Sequence, residues 1–482
     1  ARRESDWAIW INATRAYTSL WWRKGNKGVL NIGRVVTPVV GMLVHRENEI
    51  NNFVPIDHHS LEAHIKVDGH DTFPASWVRP VGEGIAGCDP SGKYLIDVRI
   101  AQAAMKKCQG QPAQVDQADR VQKKEQQPLL FSLTELQKAA AKMGYAPDAV
   151  LAAAQALYEK HKLTSYPRTE CQYAPETEHP KAAKVIGSIQ ANFSGVWNTP
   201  AGWDAAMKSR AWDDKKLAEH FAIIPLSTSC QVDQLTKCER DVYYLICRQY
   251  LAQFFPDHEY LATTLVVTVA GEKFKATGRT PKKPGWRVLF PTASSQQAVT
   301  ELPMVSVGDI GIAEKVTLQS KQTRPPEYFN AISLLEAMEK AHLFVTDPKV
   351  RAKLKDVEGI GTAATRAATI AKIVKSEFAT ESKTGKVITY RPTAKAISYI
   401  QVLPSTLSKP DLTAWFEGKL ESIKDGSLTY AEYRKLLDRL VHHTIASAKD
   451  GSALQSIPTP DKTPQSPPSP PAKKTVKRPR AK

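Results

Sequence analysis

The segment Lys162-Leu-Thr-Ser-Tyr-Pro-Arg-Thr-Glu-Cys-Gln-Tyr173 places a phenol two residues before a guanidinium, with a proline between them. In an extended chain residues i and i+2 project to the same side, and Pro167 favours extended geometry for the residue before it, so Tyr166 and Arg168 converge on one spot. A phenol is a weak nucleophile at neutral pH. A guanidinium beside it favours the phenolate and grips phosphate oxygens through forked donors. The chemistry that suits the pair is attack on a phosphate ester. Taken alone, the same two residues also suit a tyrosine packed at a strand end and an arginine that solvates a surface.

A second stretch, GIGTAATRAATI, sets Gly359 and Gly361 before a helix, where free backbone N–H groups cradle a phosphate with Thr365 and Arg366 close by. A plain loop-to-helix cap fits that spacing too. The tryptophans of WAIW and LWWR either stack nucleobases or pack in a core.

The elements that must position these groups are legible in outline. Phe53 to Val98 alternates loosely and is interrupted by the turn-rich VGEGIAGCDPSGK, which predicts strands flanking a long loop. Ser132-Leu-Thr-Glu135 reads as a capping box opening a helix with Leu133, Leu136, Ala140 and Met143 on one face. A second helix begins near Asp148, buries Val150, Ala153, Ala154 and Leu157, and delivers the chain into LTSY, read as a strand. A third carries Tyr243, Ile246, Tyr250 and Phe254 on one stripe, and YLATTLVVTVAGEKFKATG returns to β pattern. From Phe329 the pattern is helical. After Asp461 the tail has seven Lys/Arg, no Asp/Glu and many prolines, a composition that predicts disorder from about 451 and salt-sensitive DNA affinity.

Composition bounds the partners. With 66 Lys+Arg against 49 Asp+Glu the chain carries a formal +17, which favours a polyanion; nucleic acid, a ribosomal partner and anionic lipid all fit that charge. No run of about 18 apolar residues is present to span a bilayer, so no membrane partner is expected. The six cysteines form no C-x-x-C pair, which argues against a zinc ribbon and for a reducing cytoplasm. No Walker-type loop occurs, so ATP is not an expected cofactor. The 482 residues suggest about three domains. The first residues show neither an initiator Met nor a signal segment and read as the interior of a longer protein.

The tyrosine stretch resembles the active-site signature of the type IA DNA topoisomerases, the topoisomerase III branch in particular. Five further blocks resemble that family in its order: DWAIWINATRAYT (6–18), NIGRVVTPVVGMLVHRENEINNFVP (31–55), WDDKKLAEHFAIIP (212–225), TRPPEYFNAISLLEAME (323–339) and GIGTAATRAATI (359–370). The resemblance runs from residue 1 to about 445. It implies that Tyr166 attacks a DNA phosphodiester and forms a 5′-phosphotyrosine link. A strand then passes through the break, which is resealed without ATP, giving relaxation and decatenation. Arg168 matches the arginine that positions the scissile phosphate, and His220 the histidine that helps arrange it. Arg34, Thr37, Arg15 and Asn12 match the single-strand-binding groove, and Thr365 and Arg366 a late motif that contacts DNA.

The implied fold is α+β and multidomain, a toroid. A β-rich arch (61–125 and 253–322) carries a helical, winged-helix-like tyrosine domain (126–252) over a mostly helical base (1–60 and 323–450), with a disordered basic tail (451–482). The implied partners are single-stranded and negatively supercoiled DNA, acted on by a monomer in the cytoplasm. The family's Mg²⁺ is bound by a Toprim domain, for which these residues show no counterpart. Two function classes therefore stay open, a strand-cleaving enzyme completed by Toprim and a DNA-binding body that by itself catalyses nothing. A tyrosine recombinase or type IB enzyme fits less well, since the Arg/His boxes those carry around a C-terminal tyrosine are not found. Four positions depart from the family: Val36 stands for a usual Gln, Asn31 for a common Ser, Phe221 for a second His and Glu170 for the usual Asp. Glu170 is expected to partner Arg168, and the 79–94 stretch to be the loop linked to decatenation in topoisomerase III.

Overall fold

The computed structural model describes residues 2–79, 81–290, 301–345, 348, 351–352 and 359–449; the expected disordered tail lies outside them. The chain divides into two units, one formed by residues 39–393 and the other by 1–38 with the chain from 394 on.

The first unit is organised by a closed antiparallel barrel of six strands, β1 (Asp57–Val67), β2 (Phe73–Trp77), β3 (Pro112–Glu125), β4 (His258–Val269), β5 (Glu272–Lys283) and β6 (Ile310–Gln322), in the order β1-β2-β5-β4-β3-β6. Alternation closes it. Leu61, Ala63, Ile65 and Val67 of β1, Leu265, Val267 and Val269 of β4, and Phe274 of β5 all point inward and are buried. Of the 79–94 stretch, residues 81–94 form a pinned loop. The Asp89 side chain accepts from the N–H groups of Ser91 and Tyr94, and Cys88 bridges Leu95. It leads into a helix the alternation reading missed, α1 (Val98–Cys108), started by Asp97 as N-cap and packed through Ala101, Ala104 and Cys108. The signal was present as an Asp cap and small residues at spacings of three and four.

β3 and β4 pair along their whole length, from Ala113 opposite Val269 to Glu125 opposite His258. The chain therefore leaves and re-enters the barrel at two adjacent strand ends, and residues 126–257 form one inserted body with its own core. In it, α2 (Leu133–Ala141) and α3 (Pro147–Glu159) bury Leu133, Leu136, Val150 and Leu157 completely. Each such side chain contributes about 1.5–3 kcal/mol on leaving water, so packing rather than helix propensity holds these short helices. Ser132 caps α2 through the Glu135 N–H at 3.4 Å, and the helix ends at Ala141, two residues before Met143. In α4 (Lys237–Leu251) both capping-box bonds between Thr236 and Glu239 are made, and Tyr243, Ile246 and Tyr250 are buried; Phe254 belongs to the short 3₁₀ turn that follows.

After the barrel come α5 (Ala331–Glu339) and α6 (Ala363–Lys375), and then a hairpin, β7 (Ala379–Thr384) with β8 (Val387–Pro392), where a purely helical pattern was expected. Five consecutive exposed residues in β7 give it no apolar alternation to read.

The second unit opens with one continuous helix. Residues Arg2–Ser5 run into a π-helical stretch, Asp6–Ile11, and then into Asn12–Arg23. Residues 394–449 add the helices Ala394–Val402, Asp411–Lys424 and Tyr430–Lys449.

Candidate functional site

The tyrosine segment is positioned by stitching rather than by a regular strand. The expected strand LTSY makes only an isolated bridge, between Thr164 and Pro225, but its backbone is bonded on both sides of that bridge. Leu226 N–H donates to the Leu163 carbonyl, and Ser165 N–H to Ile224. The Ser165 hydroxyl donates to the Ala222 carbonyl and accepts from Ile224 N–H, each at 2.9 Å. Farther along, the Thr169 hydroxyl donates to the His220 carbonyl at 2.8 Å and Ala222 N–H to the Tyr173 carbonyl. Two segments more than 50 residues apart are thereby fixed side by side, and His220 is delivered to Tyr166.

The Tyr166 ring is half-buried, 4.5 Å from the exposed His220 ring and 5.5 Å, edge to face, from Tyr158. Arg168 is exposed, and its Nε donates to Gln155 Oε1 at 3.2 Å. Gln155 and Tyr158 lie three residues apart on α3, so the phenol and the guanidinium rest on one face of that helix. Sequence reading missed both supports; their only signal was that spacing on the polar side of a helix that precedes the tyrosine. Phe221, where a second His is common, is half-buried against the insertion core.

Glu170 does not serve Arg168, as was expected. The Thr169 hydroxyl accepts from the Cys171 N–H at 3.1 Å, a turn that swings Glu170 away toward α6. There its carboxylate accepts from the Ala363 N–H and lies 3.9 Å from Arg366. The helix start expected to cradle a phosphate therefore already holds an anion at one of its donors, supplied by the chain itself. Arg366 is likewise not on the surface. It is 2% exposed, its Nη1 donates to Thr134 Oγ1, and it lies 3.6 Å from Glu339. Burial pulls its pKa down and the two carboxylates oppose that; a guanidinium so far above neutrality stays charged. Glu339 also pairs with Lys138. Burial works against the Lys138 charge, but the hydrogen bonds it donates to Glu135 and Glu339 outweigh it and hold the ammonium above its usual range. Ser132, Thr134, Glu170, Glu339 and Arg366 line a pocket of ≈ 230 Å³. Thr365 is exposed and donates to the Thr362 carbonyl.

The remaining expected DNA contacts, Arg34, Thr37, Arg15 and Asn12, lie in the second unit. Thr37 is fully buried and occupies the middle of a relay. Gly33 N–H donates to its Oγ1 at 2.9 Å, its hydroxyl meets that of Tyr399 at 2.8 Å, and the Tyr399 hydroxyl donates to the Asn31 carbonyl at 3.0 Å. Thr37 thus shapes the 31–37 loop and has no surface to offer DNA. Asn31 enters the relay through its backbone, which makes its departure from Ser inconsequential there. Val36 is buried, so no base contact arises from it. Arg34 pairs with Asp6 at 3.3 Å, the Asn12 amide donates to the Ala8 carbonyl, and Arg15 is exposed.

The described residues hold no group of three or more His, Cys, Asp or Glu placed to ligate a metal. No described helix is long and apolar enough to cross a membrane.

A family model described as DNA topoisomerase matches residues 1–435. DNA topoisomerase 3 of Salmonella typhimurium (strain LT2) is 36% identical over 456 residues, covering 93% of this chain and 68% of that protein. DNA topoisomerase 3 of Vibrio cholerae is 34% identical over 466 residues, covering 95% of this chain and 71% of that one. Full-length topoisomerase I from Thermotoga maritima superposes with a TM-score of 0.61 over 91% of this chain and 68% of that one, at 19% identity, a likeness of fold. The chain belongs to the type IA DNA topoisomerases and is topoisomerase III-like.

Proposed function

We propose that Tyr166 is the nucleophile that cleaves one DNA strand. Its hydroxyl attacks a phosphodiester phosphorus, the bond to the 3′-oxygen breaks, and the 5′-phosphate remains on the tyrosine while a 3′-hydroxyl is released. Reversal reseals the strand after another has passed, and no ATP is consumed because the phosphodiester energy is kept in the phosphotyrosine. Arg168 takes the phosphate oxygens with its forked end, its Nε being occupied by Gln155. His220, against the phenol ring, orders the same phosphate. The observation that carries this reading is the convergence of Tyr166 and His220, from segments more than 50 residues apart, at 4.5 Å beside an exposed arginine. The substrate class is single-stranded or negatively supercoiled DNA, engaged by a monomer in the bacterial cytoplasm.

A second reading, a DNA-binding body that by itself catalyses nothing, is favoured by the lack of a metal-ligating cluster among the described residues. Both readings are met by one proposal: this chain binds single strands, and relaxes plasmid only when a Toprim domain is joined to it. A relaxation assay of the chain beside a Toprim-fused version, at matched DNA occupancy, tests it. Activity of the fused protein alone is expected; equal relaxation by the unfused chain would overturn it.

A further inference from the structure

The 81–94 loop is fastened to the barrel by contacts of which one can titrate. His59 N–H donates to the Leu95 carbonyl at 2.9 Å, and Arg79 Nη2 donates to the Lys93 carbonyl at 3.2 Å. The third fastening is a ring pair: His58, on β1, lies against Tyr94 with 4.9 Å between ring centres and 36° between planes. Tyr94 carries the end of the loop with it. Its backbone N–H donates to Asp89 Oδ1 and its carbonyl accepts from the Asp89 N–H at 2.8 Å, so the 89–94 turn moves as a piece.

The surroundings of His58 suit a neutral ring. Its Nδ1 is buried and meets no hydrogen-bond partner among the described residues, whereas a protonated imidazole has two N–H donors to satisfy. Lys321 is its register partner across the β1–β6 ladder, Arg79 approaches from the chain after β2, and His59 is beside it on β1. Lys93 adds a cation from the loop, its ammonium 5.1 Å from the centre of the Tyr94 ring. That ring already holds one cation, so a second against it gains little. The carboxylates nearby are engaged elsewhere: Asp57 accepts from Gln322, Asp89 from Ser91 and Tyr94, and Asp97 from Arg99. Burial first, then Arg79, Lys321 and His59, hold the His58 pKa below its usual 6.5, with Asp57 opposing them.

We propose that His58 is a pH-operated clasp: neutral, it stacks on Tyr94 and fastens the 81–94 loop to the barrel; protonated, it is driven out by Arg79 and Lys321 and frees the loop. Because the fastened state favours the neutral ring, the clasp is complete above 6.5 and weakens as pH falls below that value. Leu95 is buried in the barrel core, which confines the release to the span before it. None of these residues takes part in the proposed cleavage, so the two readings fail independently.

Hydrogen–deuterium exchange of the chain at about pH 7.5 and about pH 5.5, with each peptide's rate referred to its intrinsic rate at that pH, tests the clasp. Protection of peptides within 81–94 is expected to fall about 3- to 10-fold on acidification while β4 peptides keep theirs, since one unit of pKa shift is worth a factor of about ten. His58→Phe, which keeps a ring without a proton site, should hold the loop at both pH values. His58→Ala should lose the loop's protection at both, and His59→Gln should respond as the unmodified chain does. Equal protection of the loop at the two pH values in the unmodified chain, the same fall in His58→Phe, or a fall shared by β4 would overturn the clasp. So would a fully protected loop in His58→Ala, or a response abolished by His59→Gln.

Discussion

The imidazole of His220 lies 4.5 Å from the ring of Tyr166, with the planes inclined at 52°. Its backbone carbonyl is tied to Thr169, three residues beyond the tyrosine. On the proposed reading, a histidine held by both its backbone and its ring orders a phosphate at the phenol. His220→Ala should lower single-turnover cleavage of an oligonucleotide in the natural full-length protein about 10²-fold, the typical cost of removing one positioned donor, with little change in DNA affinity. A rate equal to that of the unmodified protein would take His220 out of the site.

Arg366 should be a stability residue. Arg366→Ala leaves Glu170 without its guanidinium and Glu339 with Lys138 alone, and removing one partner of such a network costs about 3 kcal/mol. Chemical denaturation should show the loss. A direct DNA contact would instead leave stability unchanged and weaken binding.

Gly359 sits at φ +77°, and a Cβ there would fall 2.2 Å from the Met338 carbonyl oxygen. Gly359→Ala should cost about 1–3 kcal/mol from the left-handed backbone alone, with the clash adding to it. Wild-type stability of this variant would mean that the backbone at Gly359 is built differently.

Hydrogen bonds from the Arg99 side chain and backbone hold the Asp97 carboxyl down at about 2, below its usual 3.8. A depressed folded-state pKa gives stability that is complete above the unfolded value and is lost as pH falls from 3.8 through about 2. Asp97→Asn keeps a capping oxygen without the charge, so its stability should no longer carry this acid-range dependence. An acid unfolding curve identical to wild type would contradict the Asp97–Arg99 pairing as the source of that dependence.

The inserted body was legible because its helices are amphipathic. Val150, Ala153, Ala154 and Leu157 recur at helical spacing and are the residues that face its core. The meeting of Tyr166 with His220 depends on hydrogen bonds through Ser165 and Thr169, which leave no periodic trace, and only the resemblance to a family suggested it. Thr37 was assigned to a DNA groove by the family resemblance, and Arg366 to a phosphate by its closeness to the helix start after Gly359, and neither ground registers burial. Their burial follows from partners distant in sequence, Tyr399 for one and Glu339 with Glu170 for the other. The partner of Glu170 was missed for a related reason, since a turn at Thr169 sends its carboxylate to the Ala363 N–H, 193 residues on, a contact no local spacing records.

The most direct test of the account is to trap the cleaved complex of the Toprim-fused protein on a single-stranded oligonucleotide labelled at its 3′ end, and to map the attached residue by peptide mass spectrometry. The account predicts label covalently retained on the peptide containing Tyr166, release of the 5′-end fragment with a free 3′-hydroxyl, and no adduct from Tyr166→Phe while single-strand binding stays near normal. An adduct formed by Tyr166→Phe, or label retained only when placed at the 5′ end, would contradict it.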